Sequence, residues 1–270
     1  MPTIEPRVLA AVPSAILGLL IAFVLVFVVP WWLAIVVGVL VTVVLVFVLE
    51  RMAPAAALRA LGATPLDEGA EPRLESIVES ICATSGSAEP SLHVADSRVP
   101  DVAVLGRVDD THLVVSTGAL RQLDRLELEA VVARQLATPT TELEAATTLV
   151  PVSTLLGPLA PRVRARVLDD RRMAGADLEG VKITRYPPAL ASALEKAAAA
   201  GTTSGSPAAS HLWLIGPAGG ADPEHPPLHE RIEMLREFHQ RGAGHAGVAL
   251  ALAGLLAENG ERSEACDLIE

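Results

Sequence analysis

Only two cysteines, Cys82 and Cys266, occur in 270 residues, far apart and without the paired spacing of a metal knuckle. That scarcity excludes a disulfide-stapled fold and suits a reducing compartment in which both thiols stay free. Basic residues are short as well: 21 Lys and Arg against 32 Asp and Glu leave a net charge of −11, with a pI near 5.1. Such a chain offers no basic face for phosphate, which argues against a nucleic-acid role. The third scarcity is local. From Val8 to Leu49 there is no charged residue at all.

That uncharged run carries the apolar excess of a chain that is 51% hydrophobic with a mean hydropathy of +0.43. Each side of Pro30 offers about 20 apolar residues, enough to cross a hydrocarbon core of about 30 Å. The reading is a two-helix transmembrane hairpin over residues 1–55, with Trp31 and Trp32 at the interfacial belt beside the turn. A cleaved signal peptide fits less well, because MPTIEPR is nearly neutral and the apolar run continues through both tryptophans. Arg7 precedes the first span, Arg51 and Arg59 follow the second, and the turn has no basic residue. The positive-inside rule then puts both ends in the cytoplasm, giving a multi-pass protein of the cell (inner) membrane with a cytoplasmic domain and the lipid bilayer as its first partner.

Beyond the hairpin, Glu50–Gly62 reads as a short Ala-rich helix or linker with Pro54 at its first turn or at a kink. Pro72–Ser85 places Leu74, Ile77, Val78 and Ile81 at helical spacing. Leu92–Ala95, Val102–Leu105 and His112–Ser116 read as three short strands of one small sheet. Leu143–Ala160, interrupted by Pro151, Gly157 and Pro158, reads as a buried or membrane-surface connector, with a single broken span as the alternative. Pro161–Gly180 reads as one helix with a basic half, either solvated or facing anionic headgroups. Pro187–Ala200 and Pro227–His239 are further helices, the latter with Ile232, Leu235 and Phe238 on one face. The tail, 241–270, carries a short apolar stretch at Val248–Leu256, read as a packed or partner-binding helix.

The chain is organised around Asp124–Thr138, where Asp124 and Glu127 form a capping box and Leu128, Val131, Val132 and Leu136 recur at helical spacing. The run TGALRQLDRLELEAVVARQLA resembles the helix of the M48 family of membrane-linked zinc metallopeptidases (HtpX-like), which carries HExxH. RRMAGADLEGVKITRYPPALASALEKAA and HPPLHERIEML resemble that family's two later blocks, in the same order, so the likeness spans Ala56–Gln240. The resemblance implies an α+β fold: the hairpin followed by a mainly helical M48-type (zincin-like) domain over 56–240 with a small sheet. It also implies that DVAVLGR includes an edge strand along which a substrate peptide adds itself, although Asp101 and Ala103 stand where the family commonly has Asn and Phe.

The chemistry of that family is what this chain lacks. Carried over position by position, the three zinc ligands correspond to Arg134, Thr138 and Met173, and the general base to Gln135. Arginine keeps its proton and repels a divalent ion by about 8 kcal/mol at about 4 Å and an effective dielectric of about 20. Threonine and methionine are poor zinc ligands, and glutamine accepts no proton from water. His225 and His229 are four apart but separated by Pro226 and Pro227, while His93, His112, His211, His239 and His245 show no ligand spacing. The reading is therefore a membrane-anchored pseudopeptidase without a cofactor, working as an interaction or scaffold subunit through a protein partner or homo-oligomer, able to take extended peptides or membrane proteins. The alternative is an active membrane zinc metalloendopeptidase of protein quality control with an atypical metal site. Asp177, retained where the family orients its first histidine, is expected to pair with Arg134 in the vacated site.

Overall fold

A computed structural model of the chain describes residues 6–27, 29–107, 110–168, 171–201, 206–215 and 228–241. It opens with two apolar helices, α1 (Pro6–Leu25) and α2 (Trp31–Leu61), that run antiparallel and meet through small residues. A Cβ built on Gly38 would lie 2.9 Å from the carbonyl oxygen of Gly18, and one built on Gly18 would lie 2.6 Å from that of Gly38. Only glycine lets two helix backbones approach so closely. Ser14 and Thr42 spend their hydroxyls on carbonyls of their own helices, Ala10 at 2.7 Å and Gly38 at 2.9 Å. Phe23, Phe27, Leu40 and Phe47 point outward and are exposed. Among the described residues α2 is long and apolar enough to cross a membrane, while the apolar part of α1, Ala10–Leu25, is shorter.

The separate short helix or linker expected at Glu50–Gly62 does not form. Helix α2 continues unbroken through Pro54 to Leu61 and ends where Gly62, at φ 65°, turns its N–H onto the Arg59 carbonyl. Packing overrides the proline, because Ala53, Pro54, Ala57 and Leu61 are all buried, Ala57 and Leu61 in one core cluster with the sheet. The helix thus passes through position 55 without a break.

Four strands form one sheet in the order β1-β2-β4-β3: β1 (Ala63–Pro65), β2 (Ser91–Ala95), β3 (Val102–Arg107) and β4 (Asp110–Ser116). The first pair is antiparallel, β2 and β4 are parallel, and β3 returns antiparallel to β4 with Val102 opposite Val115. Strand β1, three residues ending in proline, is additional to the three expected strands. It exists through pairing with β2, where Thr64 Oγ1 donates to Val94 O at 3.1 Å. Alternation along β3 and β4 feeds both faces: Val102, Val104, Leu113 and Val115 enter one core, Ala103, Leu105 and Val114 the other.

The first core is closed by α3 (Pro72–Ser85), α5 (Arg125–Leu136), α8 (Arg171–Thr184), α9 (Pro187–Ala200) and α10 (Leu228–Arg241). The second core is closed by the end of α2, by α6 (Thr140–Leu156) and by Trp213. Short α4 (Thr117–Gln122) follows β4 and is capped by Ser116, and α7 (Ala160–Val167) follows α6 after a 3-10 turn at Gly157–Leu159. Residues 143–160, expected as a buried or membrane-surface connector, are helix through Leu156, with Pro151 accommodated inside a buried stretch. The single helix expected over 161–180 is two. It breaks where Leu168 turns extended (φ −92°, ψ 114°) and buries its side chain in the cluster that holds Trp213. The apolar tail stretch at 248–256, Cys266, His225 and His245 lie outside the described residues.

Candidate functional site

Helix α5 presents Arg134 and Gln135 from its last turn, and its register is set at the other end. There the Asp124 carboxylate accepts the Glu127 N–H and the Glu127 carboxylate accepts the Asp124 N–H, both at 2.8 Å. Glu127 is itself buried and tied to α9, accepting from Lys196 Nζ at 2.6 Å and Ser192 Oγ at 2.7 Å. Against this fixed helix α8 crosses at Gly180. A Cβ there would stand 2.5 Å from Arg134 Cα and 2.9 Å from its N, so no other residue fits without moving one helix. The crossing leaves Asp177, one turn earlier on α8, directly beneath the Arg134 side chain.

The pair expected from the sequence is present. Arg134 Nε donates to Asp177 Oδ1 at 3.0 Å, with the two side chains 5% and 0% exposed. Asp177 also holds a second guanidinium that sequence reasoning missed: Arg231 on α10 donates through Nε to Oδ2 and through Nη2 to Oδ1, each at 2.7 Å. Its Nη1 donates to Leu214 O at 3.0 Å. The sequence did hold a signal for it. Arg231 shares the buried stripe of Leu235 and Phe238 on an otherwise amphipathic helix, and a charge on such a stripe needs a buried partner. Burial by itself would push the Asp177 carboxyl up. The charge and hydrogen bonds of Arg231, then those of Arg134, outweigh it and hold the carboxyl below its ordinary range. Among the described residues, two guanidinium groups, those of Arg134 and Arg231, share this one carboxylate.

Gln135 has both ends of its amide engaged. Its Oε1 accepts from Arg134 Nη1 at 2.8 Å, and its Nε2 donates to the Val102 carbonyl of β3. That same carbonyl receives the Leu214 N–H at 3.1 Å, Ala103 bridges Trp213 in antiparallel fashion, and Gly106 N–H donates to Thr147 Oγ1 of α6 at 2.9 Å. The edge of β3 is thus covered by the chain itself. Asp101, a departure from the resembled pattern, helps to hold this cover, since its buried Oδ1 accepts both Val102 N at 2.8 Å and Leu214 N at 3.0 Å. Between Arg134, Gln135, Thr138, Val104, His211 and Trp213 a cavity of about 30 Å³ remains, room for about one water. Thr138 lines it, half-buried, and Met173 lies one turn before Asp177 on α8.

These residues do not fit zinc: the first ligand position is a guanidinium bound to the carboxylate beneath it, and the base position is an amide with both ends engaged. Elsewhere the parallel pairing of β2 with β4 brings His93 and His112, distant in sequence, into edge-on contact at 5.1 Å, with Asp110 3.2 Å from His112. Burial, more than the neighbouring imidazole, lowers the pKa of His93 against the upward pull of the Ser91 carbonyl. His211 is buried with Nε2 2.8 Å from Ala146 O, and His239 meets Tyr186 edge-on. No group of three metal-donor residues forms among the described residues.

The site is a buried crossing of α5 and α8 over a small sheet, with α10 supplying a second arginine to the same carboxylate. No family model matches the chain. It is similar to proteins named "Protease HtpX homolog" from several organisms. That of Pyrococcus furiosus is 27% identical over 218 residues, 64% of this chain and 75% of the relative. That of Tropheryma whipplei is 28% identical over 222 residues (66% and 76%), and that of Acidiphilium cryptum 26% over 239 residues (72% and 83%). The solved structure of S. mikatae Ste24p covers 82% of this chain and 61% of its own at 15% identity with a TM-score of 0.43, too low to carry a fold assignment. The chain is thus similar, over about two thirds of its length, to HtpX-like proteins of the M48 type.

Proposed function

We propose that this chain is a catalytically inactive M48-type protein that acts as a membrane-anchored interaction or scaffold subunit. The observation that carries the reading is the Arg134–Asp177 ion pair with Arg231 beside it. It joins the helices that zinc ligands would join and puts fixed positive charge where a cation would sit. Gln135, turned onto Val102, supports the same reading. The anchor in this proposal is the antiparallel pair α1–α2, inserted as a hairpin in the cell membrane with the domain on the cytoplasmic side. Arg51 and Arg59 follow the apolar stretch, and the exposed side chains of both helices are those that lipid accepts. Because its own chain covers the β3 edge, the partner in this proposal is a membrane protein or a second copy rather than a peptide added to that edge.

The test is metal content and hydrolysis on the full chain purified in detergent without added metal. The expected result is no stoichiometric zinc, no casein hydrolysis and no lowering of the melting midpoint by chelator, since an ion bound only to the folded state raises stability by mass action. About one zinc per chain with chelator-sensitive hydrolysis establishes the active metalloendopeptidase instead. Gentle extraction is expected to yield a complex or homo-oligomer, and monodisperse monomer across several detergents speaks against the scaffold role.

A further inference from the structure

We infer that the turn between α6 and α7 is a second membrane contact, one that lies in the headgroup layer without crossing. Beyond α1, α2 and the turn that joins them, the large apolar side chains exposed among the described residues are Leu126, Leu155, Leu159 and Tyr186. Two of these four fall within five residues on this turn, Leu155 at 65% and Leu159 at 52% exposure. Their position singles out their occupant. Helix α6 packs on both α1 and α2, so the turn at its end belongs to the same body as the helices that carry the apolar belt. Exposed Arg162 follows three residues after Leu159. Apolar anchors with an arginine beside them are the pattern that seats a segment at the boundary of acyl chains and anionic headgroups.

Length excludes a third span. From Leu143 to Ser153 most side chains of α6 are buried against protein, which leaves about six residues from Thr154 to Leu159, or about 9 Å of helix. The hydrocarbon core is about 30 Å thick. The turn can dip into the interface and no further. The inference rests on the membrane anchoring proposed above, and the experiment separates the two.

The full chain, with Cys82 and Cys266 replaced by alanine, is given a single cysteine by Leu155→Cys or Leu159→Cys. Leu126→Cys serves as an aqueous reference and Phe23→Cys as a bilayer reference. Each is labelled with an environment-sensitive fluorophore and reconstituted in phosphatidylcholine vesicles with or without phosphatidylglycerol. At 155 and 159 a shallow doxyl lipid is expected to quench strongly. Iodide is expected to quench several-fold less than at 126, and Arg162→Gln to weaken the difference between the two lipid mixtures. Iodide quenching at 155 and 159 equal to that at 126, with lipid quenching kept at 23, overturns the inference and leaves the anchor intact. Shielding from both quenchers overturns it too, since protein then covers the turn. Iodide quenching at 23 as well overturns the anchor and the inference together.

Discussion

Asp177→Asn removes one charge and almost no volume, so it isolates what the carboxylate does. Asp177 is fully buried and receives three guanidinium hydrogen bonds, one from Arg134 and two from Arg231. Without the charge, two buried arginines lose their shared anion, and breaking a buried ion pair from one side costs about 3–5 kcal/mol. For a domain of about 150–250 residues each kcal/mol moves the midpoint by about 2–4 °C, so a drop of about 6–20 °C is expected. The assay is a thermal melt of the full chain in detergent, followed by emission of Trp213, 3% exposed, with Trp31 and Trp32 replaced by phenylalanine. The sign in pH follows from the depressed carboxyl. Its contribution is present in full above the unfolded-state pKa of about 3.9 and is lost as pH falls through the lower folded value. The gap between parent and Asp177→Asn should therefore be flat from neutral to about pH 5 and close below about pH 4. Arg231→Leu, which deletes two bonds to Asp177 and one to Leu214, should lower the midpoint as well, because it takes the two-bond partner from a buried carboxylate. A midpoint for Asp177→Asn, or for Arg231→Leu, within about 2–4 °C of the parent refutes the reasoning.

Gly180→Ala places a methyl 2.5 Å from Arg134 Cα and should destabilise by at least the ~1–3 kcal/mol typical of overpacking, read as a lower denaturation midpoint. Membrane topology is poorly read on Cys82, which is 3% exposed and whose thiol is pushed up by burial, so it is slow to react on either side. Leu126→Cys, at an exposed position on α5, should escape an impermeant maleimide in intact cells and react after lysis; labelling in intact cells places the domain outside.

The helices that pack one apolar stripe were legible because burial writes a 3.6-residue period into sequence. Ile77, Val78 and Ile81 on α3, or Leu128, Val131 and Val132 on α5, are buried as that period requires. Strands β2, β3 and β4 were legible through their branched apolar runs. What failed depends on contacts distant in sequence. Strand β1 exists through β2, the helical continuation through Pro54 exists through the sheet beneath it, and the break at Leu168 exists through a cluster completed near Trp213. At the site, Arg134 meeting Asp177 followed from one inherited position facing another. Arg231 comes from a third helix 54 residues beyond Asp177, and the closing of β3 by Leu214 is backbone pairing that leaves little trace in side-chain pattern.

Helix α2 is lipid-coloured at its start and domain core at its end, 31 residues without a break and about 46 Å long. Such a rod is a lever rather than a tether. In the proposed membrane setting, a change in bilayer thickness that alters its tilt turns the sheet through the same angle, because Ala57 and Leu61 are wedged in the core that holds Ala103 and Leu105. In the same proposed setting, a partner gripping the domain would feel the thickness of the membrane.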